Sequence, residues 1–216
     1  MYNFQYVNPK QLSSVKKELI KIINSVQNEV RQYFTFQFYF VGSYEHNMVT
    51  YDVKSNIGFD FDVDICVNDD ECKFSAKEIK TKIRLAHNKI AYHYGYDNAE
   101  DSTRVIIIKV KDKKNSKILY SCDFAIVNDY ADDEGDEKQE YIHFNKKQKS
   151  YSWQEQPQGF RLLNEKVEWI KDCGYWQDVL NLYLFKKNHN NDSRKHSRSI
   201  YAETIHEICQ RYGYYD

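Results

Sequence analysis

The chain has 216 residues, of which 41% are hydrophobic and 16% aromatic, a composition that excludes a disordered protein. Its formal net charge of -1 at pH 7 excludes a general electrostatic attraction to nucleic acid or to an acidic membrane surface. The sequence shows neither a transmembrane stretch nor a signal peptide, and its five cysteines form no Cys-x-x-Cys pair, which predicts a reducing, cytoplasmic location.

The N-terminal part of the chain predicts a helix followed by a strand. Asn8-Pro9 is typical of a helix start, because proline suits the first helical position, and apolar residues then recur at helical spacing over several turns. The aromatic and β-branched run 36–41 predicts a strand that ends at Gly42. The polar stretch 43–60 leaves room for a short helix and a loop before the next strand.

The run 59–67, which reads FDFDVDICV, is the most informative stretch. Alternate side chains of a β-strand point to one face, so Asp60, Asp62 and Asp64 project together while the apolar residues pack on the other side. Three carboxylates on one face repel each other unless a divalent cation neutralises them. Oxygen ligands two residues apart suit Mg²⁺ or Mn²⁺ better than zinc, so the sequence predicts a metal site on this strand.

The aspartate run has competing explanations. Together with Glu71, the three aspartates have the ligand spacing of an EF-hand loop, but Ile65 stands where that loop needs glycine for its sharp turn. A strand with a charged, solvated face would show the same alternation, and Asp-x-Asp pairs also occur in metal-dependent glycosyltransferases and nucleases. The Gly-Ser turn upstream and a third strand aspartate downstream favour the metal site.

The central part of the chain predicts a helix and a hairpin. Residues 75–78, Ser-Ala-Lys-Glu, form a capping box, and the helical stripe that follows can end at Gly95. We expect this helix to cross over one face of the sheet. The β-rich runs 103–111 and 117–127, on either side of a turn-like segment, predict a hairpin that carries Asp123 on its second strand.

The remaining pattern is a loop followed by helices. The acidic run 129–140 is predicted to be a solvated loop. The predicted helices of the C-terminal part cover roughly 162–171, 176–187 and 199–212. The fold prediction is therefore α+β, with a small mixed β-sheet flanked by helices in residues 1–145 and a C-terminal helical lobe in residues 146–216.

Three features together resemble the nucleotidyltransferase superfamily typified by DNA polymerase β: a Gly-Ser turn, a strand with two acidic residues, and a later strand with a third. The turn Gly42-Ser43-Tyr44-Glu45-His46 is similar to that of cyclic GMP-AMP synthase. The run 62–67, DVDICV, resembles the strand of bacterial cyclic-oligonucleotide synthases in anti-phage defence.

This resemblance implies a set of metal ligands. Asp62 and Asp64 become the metal pair, and Asp123 becomes the third catalytic carboxylate. A register that uses Asp60 and Asp62 as the metal pair stays open at this point.

The resemblance extends to the C-terminal helices. The run 182–187, LYLFKK, resembles the family helix whose lysine reaches the nucleotide triphosphate, and the run 199–203, SIYAE, is similar to a helix start in oligoadenylate synthase and its relatives. The resemblance implies that Lys186, Lys187 and Ser199 contact phosphate. Ile200 stands where the family has an aromatic residue that stacks on the base, and Tyr201 is the nearest substitute.

The chemistry of these residue types agrees with the resemblance. Two metal ions held by three carboxylates can stabilise the attacking and the leaving oxygen of a phosphoryl transfer together, with Asp123 nearest the attacking hydroxyl. Gly42 lets the backbone approach a phosphate, whose oxygens the Ser43 hydroxyl and the amides of a short following helix can bind.

We therefore expect a Mg²⁺- or Mn²⁺-dependent enzyme that transfers a nucleoside monophosphate from an NTP, ATP first among them, to a hydroxyl group and releases pyrophosphate. The acceptor stays open. The first expectation is a second nucleotide, which gives a cyclic or linear oligonucleotide, and the alternatives are a protein, an RNA 3′ end or a small molecule such as an antibiotic. A catalytically silent nucleotide-binding or scaffold protein on the same fold is the alternative from another class.

Overall fold

The computed structural model describes residues 2–55, 58–69, 72–156, 160–192 and 194–214. These residues form an α+β fold, as the sequence predicts. The chain divides into two compact units, which we call the sheet unit and the helical unit. The sheet unit comprises Tyr6–Tyr51 and Asn56–Gln156, and the helical unit comprises Met1–Gln5, Asp52–Ser55 and Pro157–Asp216. The domain boundary placed between residues 145 and 146 stays a prediction.

The first helix, α1, is Pro9–Val30. The side chain of Asn8 caps it by accepting a hydrogen bond of 2.9 Å from the backbone N–H of Lys10. The predicted apolar stripe is confirmed by the buried side chains of α1, which are Val15, Leu19, Ile22, Ile23, Val26 and Val30. The predicted strand that follows is also confirmed.

Two short strands flank α1 and the strand that follows it. The strands of this region are β1 Phe4–Tyr6, β2 Thr35–Val41 and β3 Thr50–Asp52, and β1 pairs with β3. The described residues between 43 and 60 contain no helix, contrary to the expected short helix, and residues 42–47 form turns. The backbone N–H of Met48 donates to the carbonyl of Ser43 at 2.7 Å, which reverses the chain before a helix can begin.

The central strand of the sheet is β4, Phe59–Asn68, which is antiparallel to β2. Helix α2, Ala76–Ala91, begins with the predicted capping box, in which Ser75 Oγ accepts from the N–H of Glu78 at 3.3 Å and the Glu78 carboxylate accepts from the N–H of Ser75 at 2.9 Å. It continues as a short 3₁₀ turn and ends at Gly95 in the left-handed conformation. Glu71, the twelfth position of the EF-hand alternative, lies outside the described residues.

The predicted hairpin is confirmed as β6 Val105–Asp112 paired antiparallel with β7 Lys117–Ala131. Strand β7 also lies parallel to β4, and α2 belongs to the crossover that connects them. A short strand, β5 Glu100–Asp101, extends the sheet on the side of β6. The strand order is therefore β2-β4-β7-β6-β5.

The acidic run 129–140 is a hairpin and not the predicted loop. Strand β7 continues to Ala131 and pairs with β8, Glu137–Asn145, so only the turn between them is a loop. The prediction fails because strand pairing uses backbone groups, and charged side chains are tolerated where they face solvent. A further unpredicted strand, β9 Ser150–Glu155, pairs with β8.

One face of the sheet carries the hydrophobic core. Phe61, Val63 and Ile65 of β4 are 0% exposed, and they pack in one cluster with the apolar faces of α1 and α2. Cys122, Phe124 and Ile126 of β7 belong to the same cluster. The two helices therefore cover one face, and the opposite face carries the even-numbered residues of β4.

The helical unit contains the three helices that the sequence predicts. They are α3 Phe160–Asp172, α4 Trp176–His189 and α5 Ser197–Tyr212. The rings of Tyr175 and Tyr212 stack with their centroids 3.8 Å apart, and the hydroxyl of Tyr212 donates to Asp178 at 2.7 Å. Asn188 binds the backbone of Phe4 with both its side-chain oxygen and its nitrogen. Among the described helices, none has an apolar stretch long enough to cross a bilayer.

Candidate active site

The strand register brings two of the predicted carboxylates directly together. Asp62 of β4 is the register partner of Asp123 of β7, and the neighbouring pairs on the same face are Asp60 with Ser121 and Asp64 with Ala125. All these positions lie on the face that α1 and α2 leave uncovered, because they alternate with the buried residues of both strands. The sheet unit thus holds four aspartates on one open face.

The Gly42 turn lies against this cluster of aspartates. Val41 pairs with Asp62, and the next residue, Gly42, has a φ of +66°. A Cβ atom at Gly42 would lie 2.8 Å from Oδ2 of Asp62, so only glycine fits without displacing that carboxylate. The predicted phosphate turn, Gly42 with Ser43, and the predicted metal ligands are therefore neighbours within one unit.

The three carboxylates are partly desolvated and lack compensating partners. Burial, followed by the charge of Asp60, raises the pKa of Asp62 to about 6. Burial also raises the pKa of Asp64 to about 6 and that of Asp123 to about 7, with further contributions from neighbouring acidic groups. Within the described part of the chain, none of the three accepts a hydrogen bond or forms an ion pair.

The cation that lowers the pKa of Asp123 is itself paired with another carboxylate. Lys109 lowers the pKa of Asp123. Its Nζ lies 2.7 Å from Oε2 of Glu100, so the charge of Lys109 is shared with a carboxylate that is not one of the predicted metal ligands. The excess negative charge and the oxygen-only donor set fit a divalent cation such as Mg²⁺ or Mn²⁺.

Asp60 differs from the other aspartates of β4. It is exposed, and its carboxylate accepts a hydrogen bond from the Ser121 hydroxyl. Asp62 and Asp64 are half-buried and have no such donor among the described residues. This difference favours Asp62 and Asp64 over Asp60 and Asp62 as the metal pair, although the register stays a prediction.

Two acidic residues near Asp64 had no role in the sequence prediction. Asp129 and Glu45 both contribute to the raised pKa of Asp64. Glu45 is the fourth residue of the motif that begins at Gly42, so the sequence already contained this signal. Asp129 shares the parity of Asp123 on β7, but this signal required knowing that β7 extends through the acidic run.

The most compact acidic group of the described residues lies elsewhere. Carboxylate oxygens of Asp132, Glu134 and Asp136, in the turn between β7 and β8, all lie within 4.8 Å of one another. Asp132 accepts hydrogen bonds from the N–H groups of Glu134 and Asp136 and forms an ion pair with Lys138, so it closes its own turn. This exposed group therefore has a local structural role.

The predicted phosphate and base contacts of the C-terminal part belong to the helical unit. Lys186 forms an ion pair of 2.8 Å with Glu207, and Lys187 lies 4.5 Å from the ring centroid of Phe4. A groove of about 560 Å³ on this unit is lined by Lys186 and Glu207 and contains none of the strand aspartates.

The start of α5 carries the other predicted contacts. Ser199 is exposed in the first turn, Ile200 is buried at 3% exposure, and Tyr201 is half-buried. Burial removes Ile200 from any stacking role, as its side-chain type already suggests. The contacts of Lys186, Lys187, Ser199 and Tyr201 with a nucleotide stay predictions.

The fold of this chain is similar to that of several solved structures. The STING-associated CdnE c-di-GMP synthase from Capnocytophaga granulosa matches with a TM-score of 0.62 and 15% identity, over 98% of this chain and 64% of that one. Vibrio cholerae DncV cyclic AMP-GMP synthase, in complex with a linear intermediate, matches with a TM-score of 0.57 and 13% identity, over 89% and 53% of the two chains. The CD-NTase CdnG of Bradyrhizobium diazoefficiens, in complex with GTP, matches with a TM-score of 0.51 and 11% identity, over 83% and 43%.

These matches define the class of fold. The chain has the nucleotidyltransferase fold of the CD-NTases, as the sequence motifs predict. No protein-family model and no curated protein matches the sequence. The chain spans less than two thirds of the length of these structural neighbours.

Proposed function

We propose that the chain is a metal-dependent nucleotidyltransferase. It transfers a nucleoside monophosphate from an NTP, ATP first among them, to a hydroxyl group. The observation that carries the proposal is the pairing of Asp62 with Asp123 on the open face of the sheet, with the Gly42 turn against the Asp62 carboxylate. The fold of cyclic-dinucleotide synthases supports the same reaction class.

The residues take distinct roles in this reaction. Asp62, Asp64 and Asp123 would hold Mg²⁺ or Mn²⁺, which when bound supplies positive charge to the attacking and leaving oxygens. Asp123 orients the acceptor hydroxyl and accepts its proton. The hydroxyl oxygen forms a bond to the α-phosphorus, the bond from that phosphorus to the bridging oxygen breaks, and pyrophosphate leaves with its electron pair.

The remaining roles concern nucleotide binding. The Gly42 backbone and the Ser43 hydroxyl bind the triphosphate beside Asp62. In the same proposal, Lys186, Lys187 and Ser199 contact phosphate and Tyr201 contacts the base. Both lysines are on α4, and Ser199 and Tyr201 are in the first turns of α5.

The acceptor in this proposal is a second nucleotide, and the product is a cyclic or linear oligonucleotide signal in antiviral defence. Structural neighbours that make c-di-GMP or cyclic AMP-GMP support this choice, as does the linear intermediate held by one of them. The proposal includes a cytoplasmic location, which agrees with five cysteines that are all free.

The test is incubation with each α-labelled NTP in the presence of Mg²⁺ or Mn²⁺, followed by detection of pyrophosphate and of labelled products. An oligonucleotide supports the full proposal, whereas label on a protein, an RNA or a small molecule supports one of the alternative acceptors. The absence of pyrophosphate with every NTP indicates a silent nucleotide-binding protein.

Matched variants locate the metal pair. Asp62→Asn is expected to lower turnover by more than about a hundredfold, since even outer-shell partners of metal ligands contribute about 10- to 100-fold. Asp64→Asn is expected to have a comparable effect, while Asp60→Asn retains most of the turnover. Loss of turnover in Asp60→Asn with retention in Asp64→Asn would move the metal pair to Asp60 and Asp62. Unchanged turnover in Asp62→Asn refutes the site.

A further inference from the structure

Different strands flank the cluster of aspartates on its two sides. On one side of β4 lies β2, which ends in the Gly42 turn, and on the far side of β7 lie β6 and β8. In the proposed reaction the leaving pyrophosphate is on the Gly42 side. An in-line displacement places the attacking hydroxyl on the opposite side of the phosphorus, which is the flank of β6 and β8.

That second flank carries a stacked arginine and tyrosine. The guanidinium carbon of Arg104 lies 4.2 Å from the ring centroid of Tyr141, and Arg104 Nη2 donates to the Tyr141 hydroxyl at 2.9 Å. The same hydroxyl donates to Oε1 of Gln154 at 3.2 Å, which fixes the ring. Tyr141 is 5% exposed, whereas Arg104 is exposed, so the tyrosine supports one side of a guanidinium that solvent reaches.

The register places this pair on the face of the aspartates. Tyr141 pairs with Val127, and Val105, the first residue of β6, pairs with Ala125. Arg104 lies in the bend before β6 and reaches this face through its contact with Tyr141. Ala125 and Val127 follow Asp123 at alternate positions of β7, so they share its face. At a rise of about 3.3 Å per residue, the pair lies about 7 to 13 Å along the strand from Asp123, which is the span of one nucleoside.

We propose that Arg104, supported by Tyr141, forms the subsite for the base of the acceptor nucleotide. This inference rests on the proposed function and identifies the part of the same site that selects the acceptor. A guanidinium plane stacks on any nucleobase, and stacking it first on Tyr141 restricts its rotamers before the ligand arrives. Within the described residues, Arg104 forms no ion pair that would compete for its charge.

The test separates donor from acceptor by chemistry. A 3′-deoxy-NTP can donate but has no 3′-hydroxyl with which to attack, and AMP or GMP can accept but has no pyrophosphate to release. Transfer from an α-labelled 3′-deoxy-NTP to AMP or GMP is measured at varied concentrations of each. The variants are Arg104→Ala, Arg104→Lys and Tyr141→Phe, with Arg31→Ala as the matched control for loss of an exposed arginine.

Arg104→Ala is expected to raise the half-saturating concentration of AMP or GMP at least about tenfold and to change that of the donor less than about twofold. Arg104→Lys gives little rescue because an ammonium has no planar face, and Tyr141→Phe gives a smaller loss because it keeps the ring. Equal acceptor dependence in Arg104→Ala and wild type overturns the inference, as does an equal loss for donor and acceptor.

A second measurement keeps the inference distinct from the proposed function. If wild-type protein releases no pyrophosphate from any NTP, the proposed function fails, and equilibrium binding of AMP and GMP then decides the subsite. Binding to wild type that weakens at least about tenfold in Arg104→Ala supports the subsite. Binding that is absent, or equal in the two proteins, overturns it.

Discussion

The two faces of β4 show how one strand separates stability from chemistry. Phe61, Val63 and Ile65 are fully buried against α1 and α2, and their burial favours folding. Asp62 and Asp64, at the intervening positions, have raised pKa values because the fold desolvates them beside other carboxylates. The alternation of a strand thus lets one face stabilise the fold while the other stores unfavourable charge that a ligand can relieve.

The largest expected effect on stability is on the apolar face. Phe61→Ala should lower the free energy of unfolding by about 3 to 5 kcal/mol, because it leaves a cavity among the rings of Phe40, Tyr44 and Phe59. Urea unfolding followed by circular dichroism measures this loss. Phe61→Leu is the milder variant should Phe61→Ala fail to fold, and a loss under about 1 kcal/mol for Phe61→Ala would contradict the assignment of this face.

A change on the acidic face should have the opposite sign. Asp123 has a pKa of about 7 in the fold against 3.8 as its ordinary value, so the folded state binds more protons between these pH values and loses stability as pH rises through them. Asp123→Asn should therefore raise the metal-free free energy of unfolding by on the order of 2 kcal/mol at pH 8. Thermal unfolding in EDTA across pH 4 to 8 measures it.

Mg²⁺ supplies the control for this prediction. The cation should raise the Tm of the wild-type protein and have little effect on Asp123→Asn, because the variant lacks one of the proposed ligands. An Asp123→Asn protein that is less stable than wild type in EDTA at pH 8 would show that the carboxylate has a favourable partner.

A smaller effect is expected from a polar residue of α2 that packs against the apolar face of the sheet. His87 is 0% exposed, its ring centroid lies 4.3 Å from that of Phe124, and neither ring nitrogen has a hydrogen-bond partner among the described residues. Burial lowers its pKa to about 3 from 6.5, so the unfolded state binds the proton first and stability falls as pH drops from 6.5 toward 3.

His87→Leu should raise the free energy of unfolding by about 1 to 2 kcal/mol at pH 7 and flatten its decline toward acid pH. Unfolding in urea at pH 7, 6, 5 and 4 gives both quantities. If the free energy of unfolding of His87→Leu falls as steeply toward pH 4 as that of the wild type, groups other than His87 cause the acid sensitivity.

The smallest effect concerns the helix that covers the apolar face. Ser75→Ala removes the capping box at the start of α2 and should cost about 1 kcal/mol of unfolding free energy. Ser25→Ala is the matched control, because Ser25 is inside α1 and its hydroxyl donates a hydrogen bond to the carbonyl of Lys21. An equal loss in both variants would mean that the cap has no special contribution.

Local patterns were sufficient to predict the parts of the fold that local forces determine. The Asn8 and Ser75 caps mark where α1 and α2 begin, and the period-two pattern of residues 59–67 predicts β4 and its two faces. Strands β8 and β9 were missed because their charged, polar sequences resemble a solvated loop. They form because β7 offers an edge for backbone pairing, which is a tertiary effect.

In the site, too, some features follow from local sequence and others depend on strand pairing. The strand alternation and the family resemblance predict Asp62, Asp64 and Asp123 as metal ligands, and these assignments stay predictions. Which of these residues face each other depends on how β4 and β7 align. The stacking of Arg104 on Tyr141 depends on β8, so no local pattern could have shown it. Residues that meet across strands are visible only once the pairing is known.

The parallel alignment of β4 with β7 also constrains how the molecule assembles. Parallel neighbours cannot be joined by a tight turn, so the segment with α2, β5 and β6 must be synthesised before Asp62 and Asp123 can face each other. A ribosome-bound chain that has emerged only through α2 carries the β4 aspartates without their partner. The three proposed metal ligands can therefore meet only after β7 has been synthesised and has paired with β4.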